Sequence, residues 1–163
     1  MPGGPHLSRS LLTRTPLAGA TVLAAALALS SCSRPVTVDD PAPTGADRQV
    51  CTSLMAALPP RVLEQDRRTV QPGTFSAGWG KPVITLRCGV AKPPALTDAS
   101  PCFGVNGVGW FAEKTSGGYL FTTIGRRTYV EVGVPAAYAP EGDALVDVAA
   151  AVSAHDPQVK KCV

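Results

Sequence analysis

Five cysteines, at positions 32, 51, 88, 102 and 162, constrain this chain more than any other feature. An odd number cannot pair completely within one chain, so at least one thiol has a different task. Cys32 stands directly after an apolar run, whereas the other four lie in the mixed sequence that follows. The 163 residues suffice for one domain with tails, and 45% apolar residues can build a modest core. That excludes a large multi-domain enzyme and argues against a disordered chain.

The segment before Cys32 reads as an export signal. Arg9 and Arg14 make its start positive, and no Asp or Glu precedes Asp39. The apolar stretch from Pro16 to Leu29 has the length of a signal core and falls short of the ~20 residues a spanning helix needs. Leu29-Ser30-Ser31-Cys32 follows, an aliphatic residue and two small ones before a cysteine. It resembles the bacterial lipobox, which implies that the Cys32 thiol takes a diacylglycerol and that cleavage falls in front of it. The bland alternative is an ordinary secretory signal that ends near a cysteine. A twin-arginine signal is not expected, because Ser8 to Leu12 holds a single arginine. The expected organisation is therefore a cleaved lipoprotein signal peptide at 1–31, a flexible Pro-rich tether at 32–47 and one domain at 48–163. The protein would sit on the extracytoplasmic face of the cell membrane, held by lipid at Cys32. Loss of Arg9 and Arg14 lowers the formal charge from +3 to +1, too small a surplus to suggest nucleic acid.

Periodicity gives the elements of that domain. Val50, Cys51, Leu54, Met55 and Leu58 form one helical stripe, which predicts a helix over about Arg48–Leu58 with Asp47 as its cap. Arg61–Asp66 adds at most a further turn, and Gln71–Pro82, punctuated by Gly73, Gly78, Gly80 and Pro82, reads as loop. Val83–Val90 alternates as a strand with Ile84, Leu86 and Cys88 on one face. Asn106-Gly107 between apolar flanks marks a hairpin. Tyr119–Ile124 and Thr128–Val134 read as two more strands, and Glu141–His155 as a closing helix. The predicted class is α+β, a small antiparallel sheet with two helices packed on one face.

With Cys32 acylated, Cys51, Cys88, Cys102 and Cys162 are an even set on the oxidising side of a membrane, where two disulfides are expected. Four cysteines allow three pairings. Antiparallel packing of the first and last helices favours Cys51–Cys162, which leaves Cys88–Cys102 to close a short loop. A zinc site is not expected, since no Cys-x-x-Cys occurs and His155 is the one histidine after Cys32. No cofactor is implied.

Cys51-x-x-Leu54 with Leu58-Pro59, Trp79-Gly80-x-Pro82 leading to Leu86-Arg87-Cys88-Gly89, Cys102 near Trp110, Tyr129-Val130-Glu131-Val132 and Cys162 occur together. This set, spanning about Cys51 to Cys162, resembles a small secreted or lipoprotein family of actinobacteria, domain of unknown function 3515. Ten arginines against five lysines suit a high-GC genome. The resemblance implies an envelope location and the cysteine framework, and brings no catalytic residue.

Catalytic groups are sparse. His155 near a helix end reads as a solvated residue rather than the base of a nucleophilic triad. Glu113 with Glu131, or Asp143 with Asp147, would be the carboxylate pairs of a hydrolase, although such pairs are usually solvated faces. Gly104 to Gly109 lacks the following helix of a dinucleotide fingerprint. The binding candidates are Trp79, an aromatic platform between two glycines or the anchor of its loop, and Arg126-Arg127 at a hairpin tip, facing anionic polymers or simply water. Arg87 beside Cys88 reads as the cation of a structural ion pair. The leading expectation is a non-enzymatic binding or accessory module, partnered by an envelope protein or cell-wall polymer. The alternative is a cell-wall-directed enzyme or enzyme accessory that uses carboxylates and an exposed Trp79 in a cleft.

Overall fold

The computed structural model describes residues 34–162 together with residues 1, 3 and 4. The signal segment and Cys32 lie outside the described residues. In chain order the elements are β1 (Val36–Thr37), α1 (Gly45–Ala57), β2 (Arg61–Val62), β3 (Gln65–Arg68), β4 (Val70–Gln71), β5 (Ser76–Trp79) and β6 (Ile84–Cys88). They continue as β7 (Phe103–Val105), β8 (Val108–Thr115), β9 (Gly118–Ile124), β10 (Val130–Pro135) and α2 (Ala144–His155). Eight strands form an antiparallel sheet in the order β2-β3-β5-β6-β10-β9-β8-β7, and β1 pairs in parallel with β4.

Strict alternation of burial along β6 marks one face of this sheet as the core face. Ile84, Leu86 and Cys88 on β6 are fully buried, while Thr85 and Arg87 between them are only partly covered. Register carries the same face across the sheet: Leu86 stands opposite Ala77 and Val132, and Val132 opposite Phe121. Phe121 in turn faces Ala112 on β8, two residues from the buried Trp110. Cys51 and Leu54 of α1 and Leu145, Val148, Ala149 and Val152 of α2 join the same apolar cluster. Truncating Leu54 or Leu145 to alanine costs about 2–5 kcal/mol.

The α+β class, the mostly antiparallel sheet, the two helices and the two disulfides all stand, but the sheet is larger than the small one expected. Three of its strands carry no local signal. The β2–β3 hairpin turns through Leu63 and Glu64, both at positive φ, where Gly or Asn would announce a turn. A tertiary contact holds it instead: the Leu63 N–H donates to the Asp147 carboxylate at 2.8 Å, while within the hairpin Arg61 donates to the Glu64 carbonyl. β5 hides behind its glycine. At Gly78 a Cβ would lie 2.9 Å from Val83 and 3.0 Å from Val70, so only glycine passes between these side chains.

The described part of the expected tether is not loose. Val36–Thr37 pairs with Val70–Gln71, Val38 is buried, and Asp40 accepts from the N–H groups of Thr74 and Phe75 at 3.0 and 2.8 Å. Pro43 packs beside Gly89, whose φ of 87° and lack of a side chain both suit that contact. Hydrophobic and hydrogen-bonding partners supplied from far along the chain override the Pro-rich composition. α1 then starts at Gly45, three residues before the expected Arg48, and Asp47 lies in its first turn rather than capping it.

The expected disulfide pairing is overturned. The bonds are Cys51–Cys88 and Cys102–Cys162, with Cα–Cα distances of 5.5 and 5.8 Å. Cys51, midway along α1, meets Cys88 at the end of β6. The chain beyond α2 then runs back to the sheet, where Val159 and Lys160 both donate to the Gly125 carbonyl. This path delivers Cys162 to Cys102, against Gly109, where a Cβ would lie 2.9 Å from the Cys102 sulfur.

Candidate functional site

Trp79 is not a platform. It is fully buried at the end of β5, its Nε1–H donates to the Pro59 carbonyl at 3.1 Å, and the Arg67 guanidinium lies 5.4 Å from its ring centre. The indole anchors the chain between α1 and β2, because an aromatic with one polar tip gains most where its body is dry and its N–H has a partner. Arg126 and Arg127 are likewise engaged within the fold. Arg126 donates to the carbonyls of Asp156 and Gly107 at 2.8 and 2.7 Å, and Arg127 lies 3.6 Å from the Asp47 carboxylate. The bend they occupy is roofed by the C-terminal segment, a packing that local sequence cannot announce. His155 ends α2, half-exposed, and the Asp147 carboxylate is taken by the Leu63 N–H.

Two concavities flank the Pro-rich loop at 91–101. The first, about 500 Å³, lies over the sheet face opposite the core and is lined by Asp39, Arg87, Lys92, Glu113, Leu120 and Glu131. Here the two carboxylates paired from the sequence do share one face. Glu131 stands opposite Thr122 and Thr122 opposite Phe111, so Glu113, two residues further on β8, projects to the same side. Two strand spacings and two residues of rise put their backbones about 12 Å apart. Glu131 is committed, however: Arg87 donates to its Oε1 from Nε at 3.0 Å and Nη2 at 2.7 Å, and to Asp39 from Nη1 at 2.7 Å. The structural role expected of Arg87 is therefore present. One guanidinium bridges two carboxylates, so Glu131 and Asp39 are both held in ion pairs. Sequence reading missed Asp39 here because the segment that carries it looked like tether.

The second concavity lies between the loop and the C-terminal segment. Leu96, Ile124, Tyr129 and Val159 give it apolar walls, with Lys160 and Lys161 among its lining. Asp156, where the C-terminal segment leaves α2, is fully buried, its Oδ1 accepting from the Thr128 N–H at 3.2 Å while Oδ2 has no partner. Burial pushes this carboxyl up to about 6, against the pull of the Thr128 N–H and Arg126. Among the described residues no group of three or more His, Cys, Asp and Glu gathers as a metal site, and no helix is long and apolar enough to cross a membrane.

This chain belongs to DUF3515, a protein family of unknown function. The family model matches residues 13–161, a wider span than the cysteine framework alone. The DUF3515 match takes in the Cys51–Cys88 disulfide, the Arg87–Glu131 pair and both concavities, and ends one residue before Cys162. No curated protein and no solved structure matches the chain.

Proposed function

We propose that the protein is a lipid-anchored extracytoplasmic envelope protein that acts as a non-enzymatic binding or accessory module. The observation that carries this reading is Leu29-Ser30-Ser31-Cys32 placed directly after a positive start and an apolar run of signal length. The two disulfides support it, since such bonds persist on the oxidising side of a membrane. Both helices are taken to cover the core face, which leaves the opposite face and the loop at 91–101 as the working surface. Apolar walls with Lys92, Lys160 and Lys161 around them suit an anionic partner, either an envelope protein or a cell-wall polymer.

The enzyme alternative loses its aromatic platform with the burial of Trp79, and one of its two carboxylates is held by Arg87. Metabolic labelling with palmitate tests the anchor. Label and membrane association are expected on the parent chain and lost in Cys32→Ala; retention of both in that variant overturns the lipoprotein reading. Crosslinking in intact cells tests the binding surface, with the captured partner expected to disappear in Lys160→Glu with Lys161→Glu.

A further inference from the structure

We infer that a basic patch formed by Arg34, Arg67, Arg68 and Lys81 docks the domain on the anionic phospholipid headgroups of the membrane that holds its anchor. The inference rests on acylation at Cys32 and adds an orientation to it.

The N-terminal segment sets the distance. Val36 is already paired with β4, so only three residues lie between it and Cys32, a path of four Cα-to-Cα steps. At 3.3–3.6 Å per residue they span at most about 14 Å, and Arg34 lies within about 7 Å of the acylated residue. A long tether would let the domain turn any face to the bilayer; this short one presents the end where β1 and β4 lie. There Arg34, Arg67, Arg68 and Lys81 line one shallow concavity with a single acid, Asp66. Asp66 is shared with Arg61 at 3.3 Å, which leaves the four cations in clear excess.

These cations differ from most other arginines of the domain. Arg61, Arg87 and Arg127 each have a carboxylate, and Arg126 donates to two carbonyls inside the fold. Among the described residues none of the four patch cations makes an ion pair; Arg68 donates only to the carbonyls of Gly80 and Arg34, which holds the segment onto the patch. Cations without acids of their own, within about one Debye length of a headgroup layer, are attracted to anionic lipid. The acyl chains supply retention; the patch supplies the face.

The processed protein reconstituted into vesicles separates the two ideas. Flotation with phosphatidylcholine vesicles reads the anchor alone: a chain that does not float there is not acylated. The patch is read by the rate at which a water-soluble amine reagent labels Lys81, with Lys160 as internal reference. Adding 30% phosphatidylglycerol is expected to slow Lys81 at least threefold and leave Lys160 unchanged, with millimolar lipid holding even an unanchored chain to the charged surface. Arg34→Glu, at an exposed side chain, should remove most of that protection, as should 0.5 M salt. Equal Lys81 rates on the two lipids, or protection of Lys160 in place of Lys81, overturns the inference whether or not the chain floats.

Discussion

The domain is closed by two segments of irregular chain that are held in different ways. The N-terminal strap, Arg34 to Thr44, is held without covalent help, by two residues of parallel pairing, the Asp40 carboxylate on two N–H groups and the Asp39–Arg87 ion pair. The C-terminal tail, Asp156 to Cys162, is held by hydrogen bonds to Gly125 and by the Cys102–Cys162 disulfide. Small, polar, Pro-rich segments cannot bury enough apolar surface to offset the entropy of ordering them, so each needs a specific clamp. A charged clamp responds to pH and salt, whereas a covalent one responds to reduction.

The largest expected effect comes from opening the tail. Its disulfide spans 60 residues and Cys51–Cys88 spans 37, for which chain entropy gives about 4.3 and about 3.8 kcal/mol. Replacing Cys102 and Cys162 by alanine should cost about 2–4 kcal/mol in urea unfolding. Amide exchange at Val159 and Lys160 should quicken at least tenfold while Val36 and Val38 stay protected. If the strap amides quicken equally, the two ends are not independent and the contrast fails.

Releasing the strap is the mirror experiment. Asp40→Ala leaves the N–H groups of Thr74 and Phe75 without their acceptor, at a cost of about 2 kcal/mol. Exchange should now quicken at Val36 and Val38 and not at Val159.

The two aspartates should also answer pH in opposite senses. Burial alone would raise the Asp40 carboxyl, but the Ser76 side chain, the Phe75 and Thr74 N–H groups and the Thr74 side chain together outweigh it and hold it below its usual value. Its contribution is present above about pH 4 and is lost as pH falls further. The Asp156 carboxyl is raised to about 6 by burial, so the folded state holds a proton that the unfolded chain has released, and stability falls as pH rises from about 4 through 6. Asp156→Asn should flatten that slope and stabilise the protein at pH 7 by about 1–2 kcal/mol. An unchanged slope between pH 4 and 6 would assign it to another group.

The smallest effect belongs to Asp39→Asn. The Asp39 side chain is 84% exposed, so losing its pair with Arg87 should cost no more than about 0.5 kcal/mol, and less at high salt. Chemical denaturation at two ionic strengths checks this. A larger loss would make the ion pair, rather than Asp40, the main fastening of the strap.

Legibility followed the range of the determining interactions. The Asn106-Gly107 turn, with φ of 47° and 79°, and the faces of β6 and β10 were readable, because backbone sterics and alternation act over a few residues. The Leu63-Glu64 turn and β5 were not, since a carboxylate on α2 and a gap between Val70 and Val83 decide them. At the candidate site Glu113, Glu131 and Arg87 were visible as charged residues on strands. Asp39 came from a segment that composition assigned to tether, and Trp79 moved from candidate ligand site to core.

The sequence by itself determined that four cysteines form two disulfides within an α+β domain, because parity and hydrophobic period are properties of the chain alone. Which cysteines pair, where the strap lies and which cations keep no acid of their own were decided by tertiary structure. Each depends on groups distant in sequence meeting within a few ångströms, and no local pattern encodes such a meeting.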